Sequence, residues 1–268
     1  MSSKTTFVMV HSYKGGTGKT AIAVNLAYHL SKKGKKVLLI ELDMVGPSFT
    51  NIFKVTTEKY WNHFYSSQQP LKSLITKVGA IDIICSEEGE IKVKPGENLN
   101  VFYNRQHERL QRQKAWLQAE GYDYVILDTR PGYTAELVNI ILIVDLAILI
   151  TRLDTDTVNK TIEMYEKVYS LFKNKRIILV QNQVPTPVEG QTDPELDLDV
   201  EKSLEKWNAF IKGKVLVHIP YRNDIAYSLF RSKIAREDSP FMRYVEQIAE
   251  HIHSDENDKT KLSRGTGK

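Results

Sequence analysis

The sequence predicts an α/β protein with a mostly parallel, twisted sheet that is covered by helices on both faces. Two observations lead to this prediction. Short apolar runs rich in strand-forming residues alternate along the chain with longer segments of helical periodicity, which is the element order of a parallel sheet with crossover helices. The apolar runs also lack the polar alternation of a strand with one solvated face, so both faces should be covered.

The length of the chain permits one large domain or two small ones, since it has 268 residues and 41% of them are hydrophobic. No linker divides the sequence, so we expect a single domain over residues 1–253. Residues 254–268 are charged and almost without apolar side chains, and we expect them to form a disordered polar tail.

The elements of the first half begin with a strand over Thr6–Ser12. A helix over 20–34 follows, because apolar residues recur at every fourth position and a glycine can end it. Three more apolar runs predict strands, over 35–42, 79–86 and 98–104. The polar and aromatic segment 56–70 predicts a short helix and a loop.

The second half continues the alternation. Helices are predicted over 107–121, 155–174, 199–213 and 239–252, and strands over 122–129, 145–151, 176–184 and 214–220. The longest apolar stretch, 137–150, is interrupted by Asp145, which favours two buried segments over a membrane span. Prolines and a glycine predict a surface loop over 184–197.

Charge and cysteine content limit the classes of function. The net charge of +4 permits contact with nucleic acid or an anionic surface but is equally typical of an ordinary solvated surface. Cys85 is the only cysteine, which excludes an internal disulfide and a CxxC metal site, and its strand-like surroundings favour a buried thiol. The first residues lack the pattern of a secretory signal, so we expect a cytoplasmic protein without membrane insertion.

The segment HSYKGGTGKTA, His11–Ala21, predicts a phosphate-binding loop because it follows a strand and opens a helix. Glycines let backbone N–H groups turn towards an anion, Lys19 can reach the β- and γ-phosphates, and the Thr20 hydroxyl can bind Mg²⁺. The predicted nucleotide-binding residues here are Gly15, Gly16, Thr17, Gly18, Lys19, Thr20 and Ala21. Tyr13 replaces the first glycine of the standard pattern, and Lys14 is an additional lysine.

The run KGGTGKT resembles the deviant Walker A motif of the ParA/MinD family of dimerising ATPases, and the resemblance extends over about residues 6–252. It implies a P-loop NTPase fold of the deviant Walker A class, which binds ATP and Mg²⁺ and forms an ATP-dependent homodimer. It also implies that Lys14 reaches across the dimer to phosphates of the partner's nucleotide, where it offsets the charge of two facing nucleotides. A solvated loop lysine is the alternative.

Two carboxylates follow apolar runs that also resemble family segments. KKVLLIELDMVGPS resembles the segment that ends in the first switch, with Glu41 in place of a leading aspartate. The resemblance implies that Asp43 orients or activates the attacking water and lies near the metal, against the alternative of a helix-capping or turn aspartate. YDYVILDTRPG resembles the Walker B strand, which implies that Asp128 holds Mg²⁺. Arg130 replaces a family proline. The sequence leaves open whether Arg130 contacts phosphate, a partner subunit or an activator, or is a neutral surface change.

The resemblance therefore implies Lys14, Lys19 and Asp43 as catalytic residues and Thr20, Asp43 and Asp128 as metal-binding residues. Asn182 ends a late strand, where an asparagine of the family contacts the adenine base, although a plain strand-end turn is a serious alternative. The segment after Pro220 resembles the part of the family that lines the same base pocket.

Several branches of this superfamily are disfavoured by residues that the chain lacks. The nitrogenase iron protein and iron–sulfur carriers hold clusters through paired cysteines, and ATPases that target tail-anchored proteins often use a CxxC zinc clasp. One cysteine per chain argues against all three. The final residues lack the tyrosine cluster of related kinases and the amphipathic membrane helix of MinD.

The partition and cargo-positioning branches are therefore favoured. We expect slow ATP hydrolysis to ADP and phosphate, accelerated by a partner protein, in a dimer that engages DNA or cargo. Candidates for non-specific DNA contact are five basic residues with three acids among them: Arg222, Arg231, Lys233, Arg236 and Arg243, with Asp224, Glu237 and Asp238. The alternatives are a nucleotide-dependent scaffold that recruits protein partners without DNA, and a metabolic ATP-dependent ligase on the same fold.

Overall fold

The computed structural model describes residues 4–66, 69–89, 96–172, 175–185, 193–211, 216–230 and 233–264. Within these ranges eight strands form one sheet: β1 Thr6–His11, β2 Val37–Glu41, β3 Thr76–Val78, β4 Ile81–Ile84, β5 Tyr124–Asp128, β6 Leu146–Thr151, β7 Arg176–Val184 and β8 Leu216–Pro220. Their order is β3-β4-β2-β5-β1-β6-β7-β8. Every neighbouring pair is parallel except β3 and β4. The predicted fold class is confirmed.

Helices cover both faces of the sheet. Their bounds are α1 Lys19–Lys32, α2 Phe49–Phe53, α3 Trp61–Ser66, α4 Leu71–Leu74, α5 Leu99–Ala119, α6 Ala135–Ile143, α7 Thr155–Lys167, α8 Pro194–Ile211, α9 Asn223–Phe230 and α10 Pro240–Arg264. One apolar cluster joins α1, α2, α9 and α10 to the sheet. The other joins α3 to α8 to the opposite face. Strands buried on both sides explain the continuous apolar runs of the sequence.

Strand register places the predicted site residues together. Asp128, the last residue of β5, pairs with Val10 of β1 on one side and Glu41 of β2 on the other. Because the strands are parallel, the loops that follow β2, β5, β1, β6 and β7 all leave the sheet at the same edge. Ligands of open α/β sheets bind outside this carboxyl edge.

The prediction of a strand over 98–104 is wrong, since residues 99–104 form the start of α5. Buried Phe102, Leu110 and Leu117 lie eight and seven residues apart, so they share one face of a helix. The short apolar run around Phe102 was too brief to reveal this longer period. The strand β3, which the sequence did not predict, pairs antiparallel with β4 through three residues only.

The apolar stretch around Asp145 divides as expected into α6 and β6. Asp145 ends the helix because its N–H donates to the carbonyl of Phe7 (2.8 Å) and its carboxylate accepts from the N–H of Phe7 (3.0 Å). No helix in the described ranges is long and apolar enough to cross a membrane. Of the predicted loop 184–197, residues 186–192 lie outside the described residues, and α8 already begins at Pro194.

The last helix, α10, runs to Arg264 and so continues into the segment that composition predicts to be disordered. Extending a formed helix is far less costly than nucleating one, which accounts for helix in a segment with few apolar residues. The division of the chain at residue 253 stays a prediction.

Candidate nucleotide-binding site

The predicted phosphate-binding loop lies between β1 and α1, at the carboxyl edge of the sheet. Gly16 and Gly18 have φ angles of 73° and 95°, which residues with side chains rarely adopt. A Cβ atom on Gly18 would also lie 2.3 Å from Nδ2 of Asn182, whereas Gly15 has open space around it. The loop therefore needs glycine at position 18 for both its conformation and its packing.

Asn182, near the end of β7, holds this loop through a hydrogen bond. Its Nδ2 donates to the carbonyl oxygen of Thr17 (2.8 Å), and its Oδ1 accepts from the N–H of Gln183 (3.0 Å). Thr17 is buried, and its hydroxyl has no partner among the described residues. Both ends of the Asn182 amide thus already form hydrogen bonds. The amide can contact a base only if the base replaces Thr17 or Gln183 as its hydrogen-bond partner. Its base contact stays a prediction.

The charged centre of the site lies beneath the loop. Lys19 is 7% exposed, and burial lowers its pKa while the charges of Asp128 and Asp43 oppose that shift. Asp128 is 1% exposed, and burial raises the pKa of its carboxyl from 3.8 to about 7, against the hydrogen bond from Thr20 and the charge of Lys19. Its Oδ1 has no hydrogen-bond partner among the described residues. The structure thus brings Lys19, Thr20, Asp43 and Asp128 together.

This oxygen-rich centre fits a magnesium ion. A threonine hydroxyl and two carboxylates are the hard oxygen ligands that Mg²⁺ prefers, usually together with water and substrate phosphate. Asp128 Oδ1 supplies a buried acceptor that nothing in the described chain satisfies. The positive charge of a bound ion would offset the unfavourable burial of the carboxylate.

Asp43 follows β2 and shapes the loop of the first switch, which we define as residues 43–48. Its Oδ1 accepts from the N–H groups of Val45 and Gly46, each at 3.2 Å. These are the contacts of a turn aspartate, the alternative weighed above. The charge of Asp43 nevertheless acts on both Lys19 and Asp128, so the carboxylate lies within the same electrostatic centre.

Glu41 holds the other end of the first-switch loop, a role that the sequence did not reveal. It is 1% exposed, and its carboxylate accepts from the N–H groups of Ser48 (2.5 Å), Phe49 (3.0 Å) and Ser86 (2.9 Å). Burial raises its pKa, and these hydrogen bonds oppose the shift. A carboxylate inside an otherwise apolar strand was the available signal, because a buried charge requires partners.

Lys14 extends from the same loop to the surface. Its ammonium group forms an ion pair with Asp156, in the first turn of α7, and the two side chains are 42% and 65% exposed. The hydrogen bond that Lys14 donates to the Asp156 carboxylate raises the pKa of Lys14. Next to it, the rings of Tyr13 and Tyr133 meet edge to face with centroids 5.9 Å apart. Lys14 is therefore charged, exposed and directed away from the buried centre around Lys19.

A cavity of about 350 Å³ adjoins the phosphate-binding loop. Predicted residues on its wall are Gly16, Gly18, Lys19, Thr20, Ala21, Asn182 and Pro220. The remaining wall comes largely from α9 and the turn that precedes it, including Tyr221, Arg222 and Ile225. The volume lies within the usual range of small-ligand sites. Apolar and polar lining on the side of Pro220 suits a flat base beyond the phosphates.

Arg130 is half-buried in the loop that follows β5, and its charge acts on buried Glu136 of α6. Its charge opposes the burial that raises the pKa of Glu136. Tyr65 of α3 donates a hydrogen bond to the same carboxylate. The segment between residues 56 and 117, whose purpose the sequence left open, therefore places the aromatic helix α3 against the start of α6.

Two of the basic residues considered for DNA contact are neutralised locally. Arg222 pairs with Asp224 at 2.7 Å, and Arg236 pairs with Asp238 at 2.9 Å. Lys233 lies on the wall of the nucleotide cavity. Arg243 is exposed, and Arg231 lies outside the described residues. The four of these residues that the structure describes do not form one free basic surface.

A family model described as ParA, NUBPL iron-transfer P-loop NTPase, matches residues 3–253. The chain belongs to the ParA family of P-loop NTPases. Solved structures share this fold: MinD with Mg-ADP from Pyrococcus horikoshii has a TM-score of 0.68 at 18% identity, covering 93% of this chain and 96% of that one. The ATP complex of a McdA variant from Cyanothece has a TM-score of 0.75 at 18% identity, covering 93% and 97%.

Curated relatives of this ParA-family chain differ in their named roles. The flagellum site-determining protein YlxH of Helicobacter pylori is 29% identical over 204 residues, which are 74% of this chain. The iron–sulfur cluster carrier protein of Escherichia coli K12 is 24% identical over 255 residues, or 91% of this chain. The matches cover 65% of the length of each of these relatives. The family thus includes both positioning proteins and cluster carriers.

Proposed function

We propose that this protein is an ATP-hydrolysing positioning switch that binds ATP with Mg²⁺, forms a homodimer in that state and separates after hydrolysis. The supporting observation is that residues of one loop lie in two different surroundings, one buried and one exposed. Lys19 and Thr20 lie in the buried centre with Asp43 and Asp128, whereas Lys14, five residues before Lys19, is exposed on the surface. A monomeric site needs only the first group.

Each residue of the centre has a physical task in this proposal. Backbone N–H groups of the loop and Lys19 hold the phosphates, and Thr20 and Asp128 hold the metal. A Mg²⁺ ion held there would supply positive charge for the phosphate oxygens. Asp43 accepts a hydrogen bond from a water molecule and aligns it with the γ-phosphorus. That water forms the new P–O bond as the bond to the β-phosphate oxygen breaks. Its proton passes to Asp43 and from there to the released phosphate, and ADP and phosphate leave.

Lys14 provides the link to dimerisation. In the single chain its partner is Asp156, an exposed contact that contributes little to stability. In the dimer, Lys14 exchanges Asp156 for the phosphates of the partner's nucleotide, where low local dielectric strengthens the interaction. The nucleotide thus supplies the charge that draws two subunits together, and its hydrolysis removes part of that charge.

The cargo in this proposal is positioned through a protein partner. The paired states of Arg222 and Arg236 leave little free basic surface for DNA among the candidates that the structure describes. Iron–sulfur carriage is not favoured, since Cys85 is the only cysteine of the chain and is 1% exposed. Salt-sensitive binding to DNA would instead favour a role in DNA partition over positioning through a protein partner.

The test combines ATP turnover with light scattering, each with and without ATP and Mg²⁺. Asp43→Ala should lose hydrolysis by at least about 100-fold, in line with the loss of a positioned proton acceptor, and keep ATP-dependent dimers. Lys14→Ala should bind ATP, remain monomeric and lose hydrolysis. Lys32→Ala is the matched control, because Lys32 also forms an exposed ion pair, with Glu237 at 3.0 Å, on the far end of α1.

Three outcomes would contradict the proposal. Normal ATP-dependent dimerisation of Lys14→Ala would remove the cross-subunit role of this lysine. No hydrolysis by the wild type, even with DNA or cell-extract fractions, would favour a scaffold that only binds the nucleotide. Turnover that depends on an added small molecule would favour a ligase.

A further inference from the structure

A buried histidine joins the start of the phosphate-binding loop to the end of β5. His11 is the last residue of β1, directly before the loop, and it is 0% exposed. Burial, with the charge of Lys19, lowers its pKa to about 3, while a backbone hydrogen bond with Arg130 opposes the shift. The ring is therefore neutral at physiological pH, with one nitrogen that donates a hydrogen bond and one that accepts. It is too deeply buried to touch a nucleotide, so its influence on the site passes through a neighbour.

The hydrogen bonds around His11 decide which nitrogen carries the proton. Nδ1 of His11 lies 2.7 Å from Oγ1 of Thr129, and the same Oγ1 lies 3.0 Å from the carbonyl oxygen of Val10. A carbonyl oxygen can only accept, so the single hydroxyl proton of Thr129 points to Val10. Oγ1 therefore accepts from His11, which places the imidazole proton on Nδ1. The other ring nitrogen, Nε2, has no hydrogen-bond partner among the described residues.

Thr129 directly follows Asp128, the predicted metal-binding residue at the end of β5. Its N–H also donates to the carbonyl oxygen of Val10, at 3.2 Å. Both the backbone and the side chain of Thr129 are thus tied to β1, and His11 completes the second tie. Because Asp128 and Thr129 share one peptide group, a fixed Thr129 limits the rotation of Asp128 and so the direction of its carboxylate. Oδ1 of that carboxylate has no hydrogen-bond partner among the described residues that would hold it directly.

We propose that His11 is a positioning residue for the magnesium site, because it donates from Nδ1 to Thr129 and thereby keeps the Asp128 carboxylate in an orientation that leaves Oδ1 free for the ion. The inference rests on the nucleotide and magnesium binding proposed above. Groups that orient metal ligands from outside typically change metal affinity by about 10- to 100-fold. Hydrogen bonds in series also polarise and strengthen one another. Loss of the His11–Thr129 bond should therefore weaken the binding of Mg²⁺ more than the binding of the nucleotide.

Two substitutions at Thr129 separate this hydrogen bond from packing. Thr129→Val has nearly the same shape without the hydroxyl, whereas Thr129→Ser keeps the hydroxyl and loses a methyl group. Each protein is held with ADP while Mg²⁺ is titrated, and the midpoint of thermal unfolding is followed. We expect Thr129→Val to need about tenfold more Mg²⁺, or greater, for half of the stabilisation. Thr129→Ser should resemble the wild type, and the affinity for ADP in EDTA should be unchanged in both variants.

His11 itself offers a second matched pair. The amide of asparagine can place its N–H₂ group where Nδ1 lies, whereas the longer glutamine places its amide near the position of Nε2. His11→Asn should therefore keep the magnesium dependence of the wild type, and His11→Gln should need more Mg²⁺, as Thr129→Val does. Tyr169→Phe is the control, because the Tyr169 ring lies beside the same imidazole, with centroids 6.3 Å apart, and its hydroxyl has no hydrogen-bond partner among the described residues. It should behave as the wild type does.

Nitrogen NMR of the nucleotide-free wild type measures the protonation of the ring without any metal. The chain has seven histidines, and the spectrum of His11→Asn identifies the signals that belong to His11. We expect the chemical shifts of an imidazole that is protonated at Nδ1 alone. An imidazole protonated at Nε2 alone would overturn the inference, since Thr129 would then receive no hydrogen bond from the ring.

The magnesium titrations also separate failure of this inference from failure of the proposed function. If Thr129→Val needs no more Mg²⁺ than the wild type, the hydrogen bond does not position the metal site. If Thr129→Ser and Tyr169→Phe lose as much as Thr129→Val, the effect comes from packing. Either result overturns the inference and leaves the proposed function intact. A wild type that ADP and Mg²⁺ do not stabilise would overturn both.

Discussion

Replacing Asp128 with asparagine should stabilise the nucleotide-free protein while it removes the metal site. The buried carboxyl has its pKa raised from 3.8 to about 7, which corresponds to a folding penalty of about 4 kcal/mol when it is ionised in both states. Asparagine has nearly the same shape and carries no charge. The variant should therefore unfold with a free energy up to about 4 kcal/mol higher than that of the wild type at pH 8.

The sign of the pH dependence follows from the raised pKa. Folded wild type binds a proton more readily than the unfolded chain, so the wild type gains stability as the pH falls from about 7 towards 3.8. The advantage of Asp128→Asn should shrink to about 1.5 kcal/mol at pH 5. Burial also lowers the pKa of His11 to about 3, which destabilises both proteins equally below pH 6.5 and cancels in the difference.

Urea unfolding at pH 8 and pH 5 measures these differences, and ATP with Mg²⁺ provides the functional control. The ligands should raise the unfolding midpoint of the wild type in a magnesium-dependent manner, and Asp128→Asn should lose that dependence. A variant that is less stable than the wild type at pH 8 would refute the reasoning, because the ionised carboxylate would then contribute favourably to the free protein.

Three further substitutions test the scaffold of the site. Glu41→Ala should lower the free energy of unfolding by about 2–4 kcal/mol, measured in urea, because three backbone N–H groups lose their acceptor; an unchanged value would show that water replaces it. Gly18→Ala should abolish nucleotide binding in a titration, and adding Asn182→Ala should recover part of it by removing the close contact; no recovery would assign the whole effect to φ. Tyr65→Phe should destabilise the fold by about 1–3 kcal/mol, because the buried Glu136 carboxylate loses its hydrogen-bond donor. Tyr65→Phe combined with Glu136→Gln should destabilise it by less, since the second change removes the buried charge. Equal losses of stability in the two variants would show that Tyr65 does not stabilise the Glu136 carboxylate.

The strands and the phosphate-binding loop were predictable because their signals are local. Continuous apolar runs such as that of β5 show a strand buried on both faces, and the glycines before Lys19 mark a turn into a helix. The start of α5 was predicted incorrectly, since Phe102 reveals a helical period only with Leu110 and Leu117, well beyond a seven-residue window. Short-range patterns cannot separate a strand from the first turns of a buried helix.

By itself, the sequence determined the fold class and the place of the glycine-rich loop between a strand and a helix, because both depend on residue type and short spacing. Only the tertiary structure decided which of them meet. Asp128 joins Lys19 and Asp43 through strand pairing between distant segments. Asn182 is drawn to the loop across 165 positions, and Lys14 meets Asp156 across 142. Such contacts arise from the order of strands in the sheet, which no local pattern of residues encodes.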